Sequence, residues 1–156
     1  MVVVLSDQLS KAWIKNNFSL WESREILGSF IKFSHVKNPG IAFGFSVGEF
    51  GMVITILSFV ATLFIAYFHW QERFNNPLIV AGLALILGGA IGNLIDRSSI
   101  FFVDYYEGVV DFIDVGIGTF RWYTFNLADT AVTVGIILYF LPTLFTNKPG
   151  LAQQVD

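Results

Sequence analysis

The chain has 156 residues, of which 54% are apolar, 17% aromatic and only 13% charged, and its net charge is −3. This is far from a soluble average, and so small a charge gives no basis for nucleic-acid binding. Cysteine is absent, which excludes disulfides, thiol catalysis and Cys-ligated metals, and the two lone histidines, His35 and His69, lie in no HExxH pattern, so neither a metal nor a cofactor is expected.

Residues 1–18 open with MVVVL, which is too short for a signal-peptide core and too short to span a bilayer before Asp7 arrives. This segment is expected to be a remnant or outer end of helix 1. Asp7 and Lys11 fall at i and i+4 on one helix face, and local spacing alone suggests an ion pair on a helix surface. Residues 19–48 form a β-rich segment. Glu22, Arg24 and Glu25 lead into GSFIKFSHVK, where Ile31 and Phe33 share one strand face and Lys32 and Ser34 the other. NPGIAFGF follows as a turn, with Gly40 and Gly44 allowing close backbone approach.

The charges then thin out. No Asp, Glu, Lys or Arg lies between Glu49 and Glu72 or between Arg73 and Asp96, and Asp129 is alone between Arg121 and Lys148. Each gap exceeds the roughly 20 residues that a helix needs to cross a bilayer core. Spanning helices are predicted over 50–70, 77–96 and 124–146. The first ends in interfacial aromatics (Tyr67, Phe68, Trp70), and Pro77 suits the start of the second. The second closes on GLALILGGAIGNLIDR. Gly88, Gly89 and Gly92 admit a neighbouring helix or a substrate chain, and Asn93 and Arg97 lie four residues apart at the exit. A packing stripe with a snorkelling arginine and a functional site fit this stretch about equally well.

Residues 97–123 are expected as an aromatic-rich loop outside the membrane. Asp111 lies there in GVVDF; Asp104, Glu107 and Asp114 read as surface charges, and Asp96 as a structural charge paired with the adjoining Arg97. In the last span Asn126, Asp129 and Thr133 share one face, expected to turn inward, while Val132, Ile136 and Ile137 meet lipid or neighbours. A carboxylate one turn inside a span costs on the order of 2.5–3.5 kcal/mol and by default marks a functional site. With Asp111 delivered nearby, the pair reads as two carboxylates sharing a proton, the chemistry of an aspartic protease. A small proton- or ion-handling protein with Asp129 as a relay accounts for one buried Asp but not for Asp111 or the Asn38, Asn93 and Asn126 set. A non-catalytic lipid-binding scaffold is the other alternative.

Taken together, DQLSK, NPGIAF, GGAIGNLIDR, GVVDF and FNLAD stand in the order and approximate spacing of the bacterial lipoprotein signal peptidases (signal peptidase II), which the chain resembles from Asp7 to the last span. The resemblance implies a mainly α membrane protein, a four-transmembrane-helix bundle with a small β-rich extracytoplasmic cradle and a second periplasmic loop. It implies a multi-pass enzyme of the bacterial cytoplasmic (inner) membrane with its site near the extracytoplasmic face. The activity implied is removal of signal peptides from diacylglyceryl-modified prolipoproteins by cleavage before the lipidated Cys, without a cofactor and with membrane lipids as surroundings. By motif position Asp111 and Asp129 match the catalytic dyad. Asn38, Gly40, Asn93, Arg97 and Asn126 match residues at the site, and Asp7 and Lys11 match a supporting pair. A monomer is expected.

The family orientation puts residues 7–49 and 97–121 outside. Those segments hold Lys11, Lys15, Arg24, Lys32, Lys37, Arg97 and Arg121, against Arg73 and Lys148 on the other side, and the positive-inside rule points the opposite way.

Overall fold

The computed structural model describes residues 1–39, 47–102 and 108–145. Four α-helices and a four-stranded antiparallel sheet alternate along the described chain: α1 (Val2–Asn17), β1 (Ser23–Leu27), β2 (Ile31–Asn38), α2 (Val47–Glu72), α3 (Pro77–Ser98), β3 (Val109–Ile117), β4 (Phe120–Arg121) and α4 (Leu127–Phe145). A single 3-10 turn, Ser99–Phe101, continues α3.

The helices form where the charge-free stretches predict them. Two are long and apolar enough to cross a membrane, Gly51–Glu72 with mean hydropathy 2.2 and Pro77–Phe101 with 2.3, and Leu127–Pro142 is a shorter apolar helix. Large side chains on α2 such as Ile56, Phe59 and Phe64 are exposed, a pattern that suits lipid rather than water as the neighbour. Asn76 caps α3 by accepting the Leu78 N–H at 2.9 Å, with Pro77 in the first position, where its missing N–H costs nothing.

The glycines bring α3 and α4 together. A Cβ on Gly82 would lie 2.7 Å from the Gly135 carbonyl oxygen, and one on Gly89 would overlap the carbonyl of Ala128. Backbones this close leave no room for a side chain, and the contact is made by van der Waals packing. The buried stripe of α4 therefore runs through Ala128 and Gly135, with Val132 partly buried against Gly89. Thr133, expected to face inward, is exposed and bonds the Asp129 carbonyl at 2.9 Å, a local partner that leaves it no need of the interior.

The segment 97–123, expected as a loop, instead supplies β3 and β4. Val109, Val110, Ile113 and Val115 suit a strand, and β3 pairs with β2, placing Val36 opposite Asp111 and Asn38 opposite Val109. The register shifts between Phe33 and Val36, so two β2 residues oppose one of β3. This bulge turns Asn38 onto the face of Asp111; strict alternation from Phe33 would turn it away. Below the sheet, Ile14 and Phe18 from the end of α1 pack on Val110 and Phe112, with Phe33, Ile113 and Leu127 at the margin. Edge-on contacts join Trp13 to Phe33 and Phe33 to Phe112, with ring centres 6.2 and 5.9 Å apart.

Candidate active site

Two backbone features deliver the carboxylates to one place. Phe125, just before α4, is bridged to Ile113 of β3: its N–H donates to the Ile113 carbonyl at 3.0 Å and its carbonyl accepts the Ile113 N–H at 2.7 Å. That pins the strand carrying Asp111 beside the start of the helix carrying Asp129. Gly108 opens β3 at φ +102, and a Cβ there would overlap the Asn38 backbone, so only glycine permits this approach.

Asn126 joins the two acids. Its side-chain oxygen accepts the Asp129 N–H at 2.9 Å while Asp129 Oδ2 accepts the Asn126 N–H at 3.2 Å, a reciprocal cap on α4. Because the Asp129 N–H can only donate, the Asn126 amide must turn its NH2 the other way, and it donates to Asp111 Oδ1 at 2.7 Å. Asn38 donates to Asp111 Oδ2 at 2.9 Å, and Asn93 donates to Asp129 Oδ1 at 2.7 Å. Every carboxylate oxygen of the pair thus accepts a donor. Asp111 is 2% exposed. Burial pushes its carboxyl up to about 6; the Asn38 donor opposes this, the negative charge of Asp129 adds to it, and Asn126 and Lys11 oppose it further.

Asp129 opens on a groove of ≈ 390 Å³ lined by Trp122, Phe125, Thr130, Thr133 and Val134. A larger groove of ≈ 480 Å³ between α2 and α3, lined by residues such as Ile56, Phe59 and Leu94, carries no ionisable side chain and offers no hydrolytic chemistry.

The other residues expected at the site sort into three groups. Asn38, Asn93 and Asn126 meet at the acids. Asp7 and Lys11 are fully buried rather than a surface pair, because Asp96 from α3 completes their ion cluster: Lys11 Nζ lies 2.7 Å from Asp7 and 2.9 Å from Asp96. Asp96 is a paired charge, but its partner is Lys11 and not Arg97. Arg97 makes no hydrogen bond to either acid or to Asn93; it is half-buried, and its Nε has no partner among the described residues. Gly40, with Gly44, Asp104 and Glu107, lies outside the described residues. Asp114, expected as a free surface charge, is paired with Arg121 at 2.8 Å across the β3–β4 hairpin.

Sequence reasoning missed Gln8, whose amide donates to Asp7, Asp96 and the Gly92 carbonyl. It also missed the Ala128 N–H, which donates to Asp7 Oδ1 at 3.0 Å. Gln8 lies on the turn between Asp7 and Lys11, and that adjacency to a charged pair was the one available signal.

The family model for signal peptidase (SPase) II matches residues 1–145. Similar proteins include a lipoprotein signal peptidase of Syntrophus aciditrophicus (strain SB), 36% identical over 94% of this chain and 90% of its own length. Another, from Moorella thermoacetica, is 39% identical over 88% of this chain and 85% of its own length. Two solved structures described as bacterial membrane enzymes superpose with TM-scores of 0.79 and 0.80 at 28% and 29% identity, covering 99% and 94% of this chain and 90% of each of theirs.

Proposed function

The chain belongs to the signal peptidase II family, and from that premise we propose that it removes signal peptides from lipid-modified prolipoproteins, with Asp111 and Asp129 as the catalytic pair. It is a peptidase of the aspartic type. Its four helices form a bundle in the bacterial cytoplasmic membrane, and the sheet and the acids face the extracytoplasmic side. Its substrate carries a diacylglyceryl group on the Cys that follows the scissile bond, and it works as a monomer without a cofactor.

The observation that carries this reading is the bridge through Asn126, which bonds one acid through its side chain and the other through its backbone N–H. Two carboxylates so close cannot both ionise comfortably, so the pair keeps one proton between them, and the burial of Asp111 favours its neutral form. Ionised Asp129 then takes a proton from a water while that oxygen attacks the peptide carbonyl carbon, and Asp111 gives its proton to the carbonyl oxygen. When the tetrahedral adduct collapses, the C–N bond breaks, the proton held by Asp129 leaves on the amine, and a hydroxyl of the adduct returns its proton to Asp111 as the new carboxyl group forms. Asn38 and Asn93 hold the outer oxygens so that the reacting ones stay aligned.

The basic residues that would argue for the reverse orientation are largely paired. Lys11 sits with Asp7 and Asp96, Arg24 with Glu22, Lys32 with Glu25 and Arg121 with Asp114. Single cysteines at Asn75 and Thr119, in a protein with none of its own, test the topology. The Thr119 probe should react from outside in intact cells and the Asn75 probe should not; the reverse result overturns the orientation.

The activity test is cleavage of a purified diacylglyceryl prolipoprotein followed on a gel. Asp111→Asn and Asp129→Asn should each lower turnover about 10³-fold or more while the proteins remain folded in the membrane. Proton flux in liposomes without cleavage would favour the relay alternative.

A further inference from the structure

One side chain behind the carboxylate pair lies a buried ammonium that the hydrolytic steps do not use. Lys11 is 1% exposed and its Nζ has three acceptors for three protons: Asp7 Oδ2 at 2.7 Å, Asp96 Oδ2 at 2.9 Å and Asn93 Oδ1 at 2.9 Å. A cluster that served only to knit α1 to α3 would be complete with the two carboxylates. The third bond goes instead to the amide that holds Asp129.

An ammonium can only donate, so Asn93 must turn its carbonyl toward Lys11 and its NH2 away. That NH2 donates to Asp129 Oδ1 at 2.7 Å. The same carbonyl accepts the Asn126 amide at 3.1 Å, and the Asn126 amide also donates to Asp111 Oδ1. The direction of each of these bonds follows from donors that cannot reverse. Hydrogen bonds linked in this way polarise one another, so the cation acts on both acids through the two amides.

We propose that Lys11 is a positioning residue for hydrolysis, which fixes the Asn93 amide against Asp129 and holds the acid pair in its singly ionised form by its charge. This rests on the reading of Asp111 and Asp129 as the catalytic pair. The charged groups that face Lys11 are Asp7 on its own helix, Asp96 on α3 and, one amide further on, Asp129 on α4 and Asp111 on β3. Arg97 makes no bond into the cluster. The Lys11 charge acts on Asp111 in the direction that favours its carboxylate.

The sign of the electrostatic effect separates positioning from scaffolding. Lys11→Met removes a cation, so carboxylates nearby ionise less readily and the pH profile of kcat/KM should move up by roughly half to one unit. Asp96→Asn removes an anion, leaves Lys11 in place with one carboxylate instead of two, and should move the profile down by a similar amount. Lys11→Arg keeps the charge but cannot reproduce the three-acceptor seat, so the profile should stay in place while kcat falls about tenfold.

A merely structural cluster would lower the melting temperature and the amount of active enzyme without moving the profile. The inference is overturned if folded Lys11→Met and Asp96→Asn variants keep the wild-type profile or shift it the same way. Should Lys11→Met not fold, Asp96→Asn decides alone, and the absence of a downward shift is fatal. If Asp129→Asn retains turnover, it is the catalytic-pair reading that fails; if Asp129→Asn is dead and the profiles do not move, only the role of Lys11 falls.

Discussion

The two acids sit in seats of different kinds. Asp129 is part of a helix start: its own N–H, the N–H of Asn126 and the glycine-lined approach of α3 fix it through backbone, and one side-chain amide, Asn93, adds to them at Oδ1. Asp111 projects from a strand, and its oxygens are held by two side-chain amides, Asn38 on the neighbouring strand and Asn126. A backbone seat moves only if helices part, whereas an amide seat can be removed one hydrogen bond at a time. Perturbing the first should therefore cost the fold, and perturbing the second should cost tuning.

The largest effect belongs to the helix seat. Gly89→Leu would drive a side chain into the Ala128 carbonyl and separate α3 from α4. It should destabilise the protein by about 3 kcal/mol or more, read as loss of the cooperative melting transition in detergent. Asn126→Ala, which touches both seats, should lower kcat about a hundredfold, because the buried cap that accepts the Asp129 N–H is lost along with a donor to Asp111.

Asn38→Ala touches only the strand seat and should cost about tenfold in kcat. The Asn38 donor pulls the Asp111 pKa down, so its removal should carry that pKa above about 6 and displace the alkaline limb of the activity profile, where Asp111 loses its proton, to higher pH. The smallest effect is a gain. Asp111 has a folded pKa raised above its unfolded value of 3.8. Its unfavourable burial is absent below the unfolded value and fully felt once pH rises past the folded one. Inactive Asp111→Asn should then be on the order of 1 kcal/mol more stable than wild type at pH 8, with the advantage gone near pH 4, as followed by thermal melting. Equal melting curves at both values would place Asp111 in a wetter seat than its 2% exposure indicates.

Much of this architecture was legible because hydrocarbon imposes a simple rule on charge. The gaps around Asp129 and before Asp96 marked the helices, and a lone carboxylate one turn inside the last span marked Asp129 as functional. The chain hid what depends on distant partners. Asp7 and Lys11 advertise an i, i+4 pair, but whether that pair meets water is decided by Asp96, 85 or more positions away. Strand β3 was hidden for another reason. Val109, Val110, Asp111 and Phe112 are all buried, so no in–out alternation betrays a strand, and the carboxylate in its middle looks like a loop residue. Asn38 could be placed near Asp111 only by motif resemblance, since the bulge at Ser34–His35 leaves no local mark.

The bond from the Ala128 N–H to Asp7 spans 121 positions of chain. A ribosome delivers Asp7 long before the Asn126–Asp129 turn, so its buried carboxylate waits in α1 while the intervening chain is made. A nascent chain that has not reached Asn126 lacks Asp129 and the amide that joins it to Asp111, and it cannot hydrolyse a peptide.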